Sequence, residues 1–566
     1  MKYLCCLCAL LYSLVSFGQS AVIKGEVYDD IENEPLIGAT ILVKGTSIGI
    51  VTDFDGQFQL NVKQELPVIL VFSYVGYESK EMEVSDASTP IKVRLGENAI
   101  TAPEIEVVGQ RISDKQKAAP LTVESMDLLA IKETPSDNFY DGLGSLKGVD
   151  ITAASLGFKI VNTRGFNSTS PVRSLQIIDG VDNQAPGLNF SLGNFLGSSE
   201  LDVLKVDMIQ GAASAFYGPN AFNGVISMET KNPFYQKGLS ALVKVGERNL
   251  VETAVRWADV VSNKDGNEVF GYKVNLSYLR ADDWVADNFD PVFDTETGTD
   301  NPGRFDAVNI YGDEYFRGND FSSNDPWVNP GLGIFHRTGY REEDLVDYDT
   351  RNLKANAALH FRLNPAMQDE SPELVVSGSF GSGTTVYQGD NRFSLKDITF
   401  VQPKISVHKR GKWFVRSYMT QTTAGDSYDP YFTALLLLDS VKSNLDWSEE
   451  YLKHWTDNYT PRTAKLGYPQ VQISVDDMGN IVATFDNDAA NQWLNNFQDT
   501  LASWHAITEA VVNAQTSGTT QAFLEPGTER FEAVFNDITS RSRNDGGTRF
   551  IDRSRLYHIQ GEYKFE

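Results

Sequence analysis

From residue 238 onward, runs of a dozen or more residues alternate strictly between apolar and polar side chains. Phe270, Tyr272, Val274, Leu276 and Tyr278 form one apolar face, while Lys273, Asn275 and Ser277 stand on the other. The pattern returns in Leu353, Ala355, Ala357, Leu359, Phe361 and Leu363 against Lys354, Asn356, His360 and Arg362. It returns again in Tyr557, Ile559, Tyr563 and Phe565 against His558, Gln560, Glu562 and Lys564. A period of two is the period of a β-strand. A soluble sandwich alternates too, but it seldom runs strands this long with Lys, Arg and His along one face. An apolar exterior around a polar interior is the pattern of a transmembrane β-barrel.

About eight such strands can be read, near 238–246, 250–262, 267–281, 350–364, 372–386, 394–408, 411–424 and 549–566. If the first runs outward, the turns after even-numbered strands should be short and the long loops should follow odd-numbered ones. The long segments, 282–349 and 425–548, do follow the third and seventh strands. The second of these reads as a long, partly helical outer loop. Ala434–Leu438 is the longest clean apolar run, so no segment predicts a membrane helix, which needs ~20 apolar residues.

Residues 1–19 read as a signal peptide, with Lys2 as the basic region, Leu4–Val15 as the apolar region and Ser16-Phe17-Gly18 as the cleavage site. Cys5, Cys6 and Cys8 all lie inside it, so the exported chain is free of cysteine and of disulfides. A net charge of −27 argues against a nucleic-acid partner.

Residues 20–97 read as a β-sandwich built from Val22–Tyr28, Ala39–Lys44, Gln57–Val62, Val68–Tyr74 and Ile91–Leu95. Asp55-Gly56, between Val51–Phe54 and Phe58–Val62, is a hairpin signal. Residues 98–120 change to a polar, proline-bounded linker. Glu104, Ile105, Glu106, Val107, Val108 and Gly109 make an extended apolar island in it, readable as a last edge strand or as a peptide that adds to a partner's sheet. Residues 121–233 alternate short helical and strand signals and end in the small-residue stretch GAASAFYGPNAFNGVISMETK.

The phrases EPLIGATILVKGT, TDFDGQFQL and FSYVGYESKEMEV resemble the carboxypeptidase regulatory-like domain found before many outer-membrane receptors. All six histidines lie at or beyond His336, so this module has no zinc-ligand pair and no chemistry of its own. Residues 121–233 resemble the plug domain of TonB-dependent outer-membrane transporters, through Arg164-Gly165, Asp179-Gly180, Tyr217-Gly218, Asn223-Gly224 and Thr230-Lys231. The small residues from Gly211 to Ala215 suit backbone packed closely inside a barrel, and Gly218 and Asn223-Gly224 suit tight turns.

The expected fold is mainly β: an N-terminal β-sandwich, a small α/β plug domain and a partial antiparallel transmembrane β-barrel over 234–566. The resemblance implies a receptor of the Bacteroidota type in the outer membrane, with its N-terminal domains in the periplasm. It would take up a scarce nutrient, with Glu104–Gly109 as the box that a TonB-type energy-coupling protein pulls. The implied partners are that protein, outer-membrane lipid and an extracellular small ligand or oligosaccharide. Within the glycan-importing subgroup a surface lipoprotein would be added. Siderophore, haem, cobalamin and peptide are the other ligand classes, and an adhesion or scaffold protein is the rival from a different class. Eight strands enclose only their own side chains, whereas plugged transporters use about 22. The sequence is therefore expected to be a fragment, with an open sheet curved around its plug.

The resemblance places ligand contact at the plug's apical loops, Phe166–Pro171 and Asn183–Phe190, with Phe166, Asn167, Ser168, Asn183, Asn189 and Phe190 as candidates. No catalytic constellation is found: His505 and Glu509 are four apart on a helix, but H-E-x-x-H is absent. His454 and Asp457 read as solvent-facing. The acidic loop 282–325 lacks calcium-loop spacing and reads as solvated. Trp284, Phe289, Tyr311, Tyr315, Phe316 and Trp327 in these loops read mainly as the loop's own packing. No cofactor or metal is implied.

Overall fold

The computed structural model describes residues 21–30, 34–46, 48–62, 66–74, 77, 79–96, 122–134, 138–169, 171–188, 190–388 and 392–565. The signal segment, the Glu104–Gly109 island and Asn189 lie outside the described residues. Strand content dominates, and the chain divides into two units, residues 1–106 and 107–566.

The first unit is a two-sheet sandwich. Gln57–Val62, Ala21–Asp29 and Ile91–Leu95 form one sheet; Gly49–Val51, Thr40–Val43, Val68–Ser73 and Lys80–Val84 form the other. Alternate residues meet in the middle, including Ile23, Val27, Ile41, Phe58, Leu70, Phe72 and Val93. The Asp55-Gly56 turn forms, with Gly56 at φ +71° and the Asp53 carboxylate accepting from the amides of Asp55 and Gln57. It is not a hairpin, however. The run before it pairs within one sheet and the run after it within the other, where Phe58, Leu60 and Val62 turn into the core.

The second unit begins with the segment that resembles a plug. Its central sheet has the order Val181–Asp182, Leu175–Ile178, Val225–Thr230, Val203–Ile209, Val123–Met126. Leu175–Ile178 runs parallel to Val225–Thr230, and the other neighbours are antiparallel. Met126, Tyr140, Leu143, Val206, Met208 and Ile226 fill one side of this sheet. The small-residue stretch works as its sequence suggests. Gly224 has φ +119°, and a Cβ there would stand 2.7 Å from Met208 and 2.9 Å from the Ile209 carbonyl.

Eight antiparallel strands follow in chain order: Gly238–Val245, Val251–Ser262, Glu268–Asp282, Asp349–Arg362, Glu373–Gln388, Arg392–Lys409, Trp413–Thr423 and Arg553–Tyr563. The first and last are edges, with no pairing between them among the described residues. This sheet, the wall, is inverted relative to a soluble one. Val274 and Leu276 are 50% and 53% exposed, while Lys273 and Asn275, which alternate with them, are 6% and 1% exposed. Leu239, Val243, Trp257, Ile405, Val415 and Ile559 continue the bare apolar face. Arg256, Lys354, His360, Arg416 and Thr420 continue the buried polar one, which is turned to the plug. A 14-residue strand spans ~46 Å, enough to cross an apolar band ~25 Å tall even when tilted.

The two long loops fold together. Helices Pro430–Val441, Asn444–Asn458, Thr460–Lys465, Asn487–Asn496, Gln498–Ala514 and Glu529–Ser540 make an insert after the seventh strand. No strand of it joins the wall among the described residues. Trp447, Tyr451, Trp455, Trp493 and Trp504 pack with Leu332 and Phe335 of the first long loop. Tyr311, which reads as loop packing, is buried with Leu437, Leu438 and Phe531. Arg337 is buried and donates to the Leu438 and Lys442 carbonyls, capping the end of helix Pro430–Val441. His454 departs from the solvent-facing expectation: it is half-buried, with Nδ1 3.1 Å from Thr508 Oγ1. The neighbouring turns of the two helices bring these groups together.

Candidate functional site: the seam between plug and wall

The plug end of strand Val225–Thr230 meets the wall through ions rather than apolar contact. Asp202, at the end of a 3-10 turn, accepts from Arg256 Nε (2.9 Å) and Lys273 Nζ (2.8 Å). All three side chains are almost fully buried. Lys273 Nζ also donates to Thr230 Oγ1 (2.7 Å) and to the Lys231 carbonyl (2.8 Å). Its three donors are thus all used. Buried ions hold only when so surrounded, because their desolvation costs several kcal/mol each.

Beside this cluster Asp179 sits at φ +47° and Gly180 at φ +72°, a turn that points the carboxylate back along the sheet. It accepts from Thr230 N (2.8 Å) and Thr230 Oγ1 (2.7 Å), with Lys404 of the wall 3.8 Å away. Burial pushes the Asp179 carboxyl up, but Lys404, Lys273 and the two Thr230 hydrogen bonds outweigh it and hold the group at about 2. The carbonyls of Gly180 and Asp182 accept from wall amides, Gln560 at 3.1 Å and Gln402 at 3.0 Å. A cavity of about 70 Å³ lies in this seam, lined by Asp179, His360, Gln402 and Lys404. Its lining is polar enough to suit water.

The sequence motifs sort into two groups. Asp179-Gly180 and Thr230-Lys231 meet at the seam. Arg164-Gly165 and Asn223-Gly224 meet at the other end of the plug hairpin, where Thr163 N donates to Asn223 Oδ1 (3.0 Å) and Gly211 N to Thr163 Oγ1 (2.9 Å). A Cβ on Gly211 would stand 2.8 Å from the Arg164 guanidinium. Tyr217 is buried, and Gly218 turns the chain at φ +86°.

Among the ligand candidates, Phe166 is exposed and stands edge-on to Phe222, and Asn167 is exposed beside it. Ser168 exchanges backbone hydrogen bonds with the Asn162 amide. These residues lie at the end of hairpin Val149–Thr163 opposite its turn, and the turn is what reaches the long loops. There Leu156 N donates to Asp283 Oδ1 (2.8 Å), and Ser155 meets Thr385 (3.0 Å). Asn183 is buried, and its amide donates to Gln176 Oε1 (2.7 Å) and the Leu196 carbonyl (2.9 Å). Phe190 lies in a two-residue strand paired with Gln184–Ala185. Gly187, in the same loop, packs against Asp552 below the insert.

Sequence reasoning did not single out Asp202, Arg256 or Lys404, nor two wall glycines, Gly381 and Gly383. Leu196 and Phe195 of the plug press where Cβ atoms on those glycines would stand, at 2.8 and 2.6 Å. The small-residue stripe Gly378–Gly383 was the available signal. Elsewhere, His505 is buried in the insert and Glu509 is paired with Arg304 at 2.7 Å, so the two do not converge on a reacting centre. Among the described residues no three His, Cys, Asp or Glu side chains are placed to hold a metal ion.

Comparison with known proteins gives two domain matches. The family model of the CarboxypepD_reg-like domain matches residues 23–107, and that of the TonB-dependent receptor plug domain matches 115–225. The TonB-dependent receptor SusC of Bacteroides thetaiotaomicron is 30% identical over 311 residues, 52% of this chain and 29% of that protein. The TonB-dependent receptor P26 of Formosa agariphila is 33% identical over 218 residues, 37% of this chain and 20% of that one. The matched region spans less than a third of the length of these curated relatives. Among solved structures, the ferric yersiniabactin uptake receptor FyuA from Yersinia pestis is 15% identical, with 54% of this chain and 41% of that one covered and a TM-score of 0.32. A ferric enterobactin receptor (PfeA) mutant from Pseudomonas aeruginosa is 16% identical, with 55% and 41% covered and a TM-score of 0.34.

Proposed function

We propose, from the premise that this chain is an outer-membrane TonB-dependent receptor of the Bacteroidota type, that it carries a scarce nutrient across that membrane by plug-gated transport. The observation that supports this reading is the polar end of the seam, near Thr230. A plug that must leave its wall and return has to break its contacts cheaply. Ion pairs and hydrogen bonds can be handed to water, whereas apolar contact would cost ~25 cal/mol for every Å² exposed. Asp202, Asp179 and Thr230 gather the polar contacts around the end of the strand that leads from plug into wall.

In this reading Glu104–Gly109 is the box that a TonB-type protein takes up as an added strand. The long-loop face of the plug, the turn at 154–157 and the segment 183–190, meets the ligand. Outer-membrane lipid covers the bare apolar face of the wall. A glycan with a surface lipoprotein is the narrower version, and an adhesion or scaffold protein would need neither the box nor a polar seam.

The test is Val107→Pro, which removes a backbone donor and fixes φ. Uptake by cells carrying the variant should fall to background while surface binding of the nutrient is kept. Unchanged uptake would remove Glu104–Gly109 from the pathway.

A further inference from the structure

Two carboxylates of the first long loop, Asp283 and Glu342, are 2% and 0% exposed, and both serve the plug's turn at 154–157. Asp283 follows strand Glu268–Asp282 directly. Its Oδ1 accepts from Leu156 N of the plug and from Trp284 N, both at 2.8 Å, and its Oδ2 accepts from Thr350 Oγ1 at 2.8 Å. A buried anion depends on each such donor, and the plug supplies one of them. Glu342 reaches the same turn through an intermediary. Its Oε2 accepts from Tyr311 Oη (2.6 Å) and Asn309 Nδ2 (3.2 Å). Its Oε1 accepts from Tyr348 Oη (2.8 Å) and Arg392 Nε (3.0 Å). The guanidinium is planar, so holding Nε aims the rest of the fork. Arg392 Nη1 then donates to the Ala154 carbonyl at 3.2 Å.

The turn thus offers an N–H and a C=O two residues apart, and the loop meets each with its complement. Ala154, Ser155 and Leu156 are only 9%, 1% and 9% exposed, so water does not stand ready to replace either bond. If the turn leaves, Asp283 loses a donor and Arg392 an acceptor; if the loop leaves, Leu156 N–H and the Ala154 carbonyl are stranded. Each side therefore stabilises the other, and linkage makes the effect equal in both directions. We propose that Asp283 and the Glu342–Arg392 pair latch the first long loop to this plug turn, so that loop and turn open together. A ligand that meets the turn has to displace Asp283 and Arg392 first. That use rests on the transport reading, whereas the latch itself does not.

Amide hydrogen exchange on the full chain tests the latch, with neither nutrient nor TonB-type protein present, so its outcome is separate from that of the uptake experiment. Asp283→Ala removes the loop's acceptor and should speed exchange ~10-fold or more in the plug hairpin, at 149–153 and 159–163. Leu156→Pro removes the plug's donor and should speed exchange by a similar factor in the loop, at 283–286 and 348–350. The double variant should add little to either single one, because both remove the same bond. Asp283→Asn keeps an oxygen for Leu156 N and leaves the plug's sequence untouched; it should act less than Asp283→Ala. Arg341→Ala, at an exposed side chain of the same loop, should change neither segment. A hairpin that does not respond to Asp283→Ala would overturn the latch. So would effects that multiply in the double variant, or equal effects of Asp283→Asn and Asp283→Ala.

Discussion

The seam near Thr230 and the insert are both buried contacts between distant parts of the chain, and they are built from opposite materials. Farther along, the plug also meets the wall through an apolar cluster, with Phe158, Phe195 and Leu196 against Tyr387, Ile398 and Phe400. Where plug meets wall near Thr230, Asp202 binds two cations and Asp179 binds Thr230 within reach of Lys404. Where the two long loops meet, rings do the packing: Phe335 lies 4.2 Å from Tyr451, and Trp327 5.4 Å from Phe485. Polar contacts can be exchanged for water with little net change, whereas apolar ones keep their full cost of exposure. The polar end of the seam therefore costs less to open than the insert does.

The largest break in that comparison should come from the insert. Trp455 is fully buried between Tyr459, Trp504 and His505. Trp455→Ala should cost ~3–5 kcal/mol, read as earlier urea unfolding of the insert by tryptophan fluorescence, with plug protection unchanged. Asp202→Asn strikes the seam. It leaves Arg256 and Lys273 buried without their counter-ion and should cost ~3 kcal/mol, read as faster amide exchange in 203–209 and 225–230. The insert should not respond.

Acid separates the two regions by a smaller margin. Burial pushes the His505 imidazole down to about 4, so it is neutral in the fold, with Nε2 donating to the Gly331 carbonyl at 3.1 Å and Nδ1 2.8 Å from the Tyr451 hydroxyl. Its unfolded value is near 6.5. Below that value the unfolded insert takes up a proton that the folded one refuses, so stability falls as pH drops from 6.5 toward 4. Between pH 7 and pH 5 the insert should lose about 2 kcal/mol, and His505→Gln should remove most of that dependence. Asp179 behaves oppositely. Its folded value lies below its unfolded one, so its contribution is complete above about pH 4 and is lost only as pH falls toward 2. Chemical denaturation at pH 7 and pH 5 checks both.

The wall was legible because its signal is local and repeated. Seven of its strands fall within two residues of the positions that alternation alone marks, and the eighth, Arg553–Tyr563, is shorter at both ends. The seam was half legible. Asp179-Gly180 and Thr230-Lys231 stand out as motifs, but nothing local tells that Asp202 will meet Arg256 and Lys273, 54 and 71 residues away. Only the closing of the sheet around the plug brings them together. Asn183 was ambiguous for a related reason. An amide such as Asn183 serves a ligand or a buried turn equally well, and here it ties Gln176 to Leu196. At Asp55-Gly56 the turn chemistry was right and the pairing was not, since a turn does not say whether its arms stay in one sheet.

Amide hydrogen exchange across a urea series at pH 7 tests the central claim most directly, because it reads both regions in one sample. The account predicts that plug strands 203–209 and 225–230 lose protection at urea concentrations where insert helices 444–458 and 498–514 are still closed. Loss of protection in the insert first, or in both regions together, would contradict it.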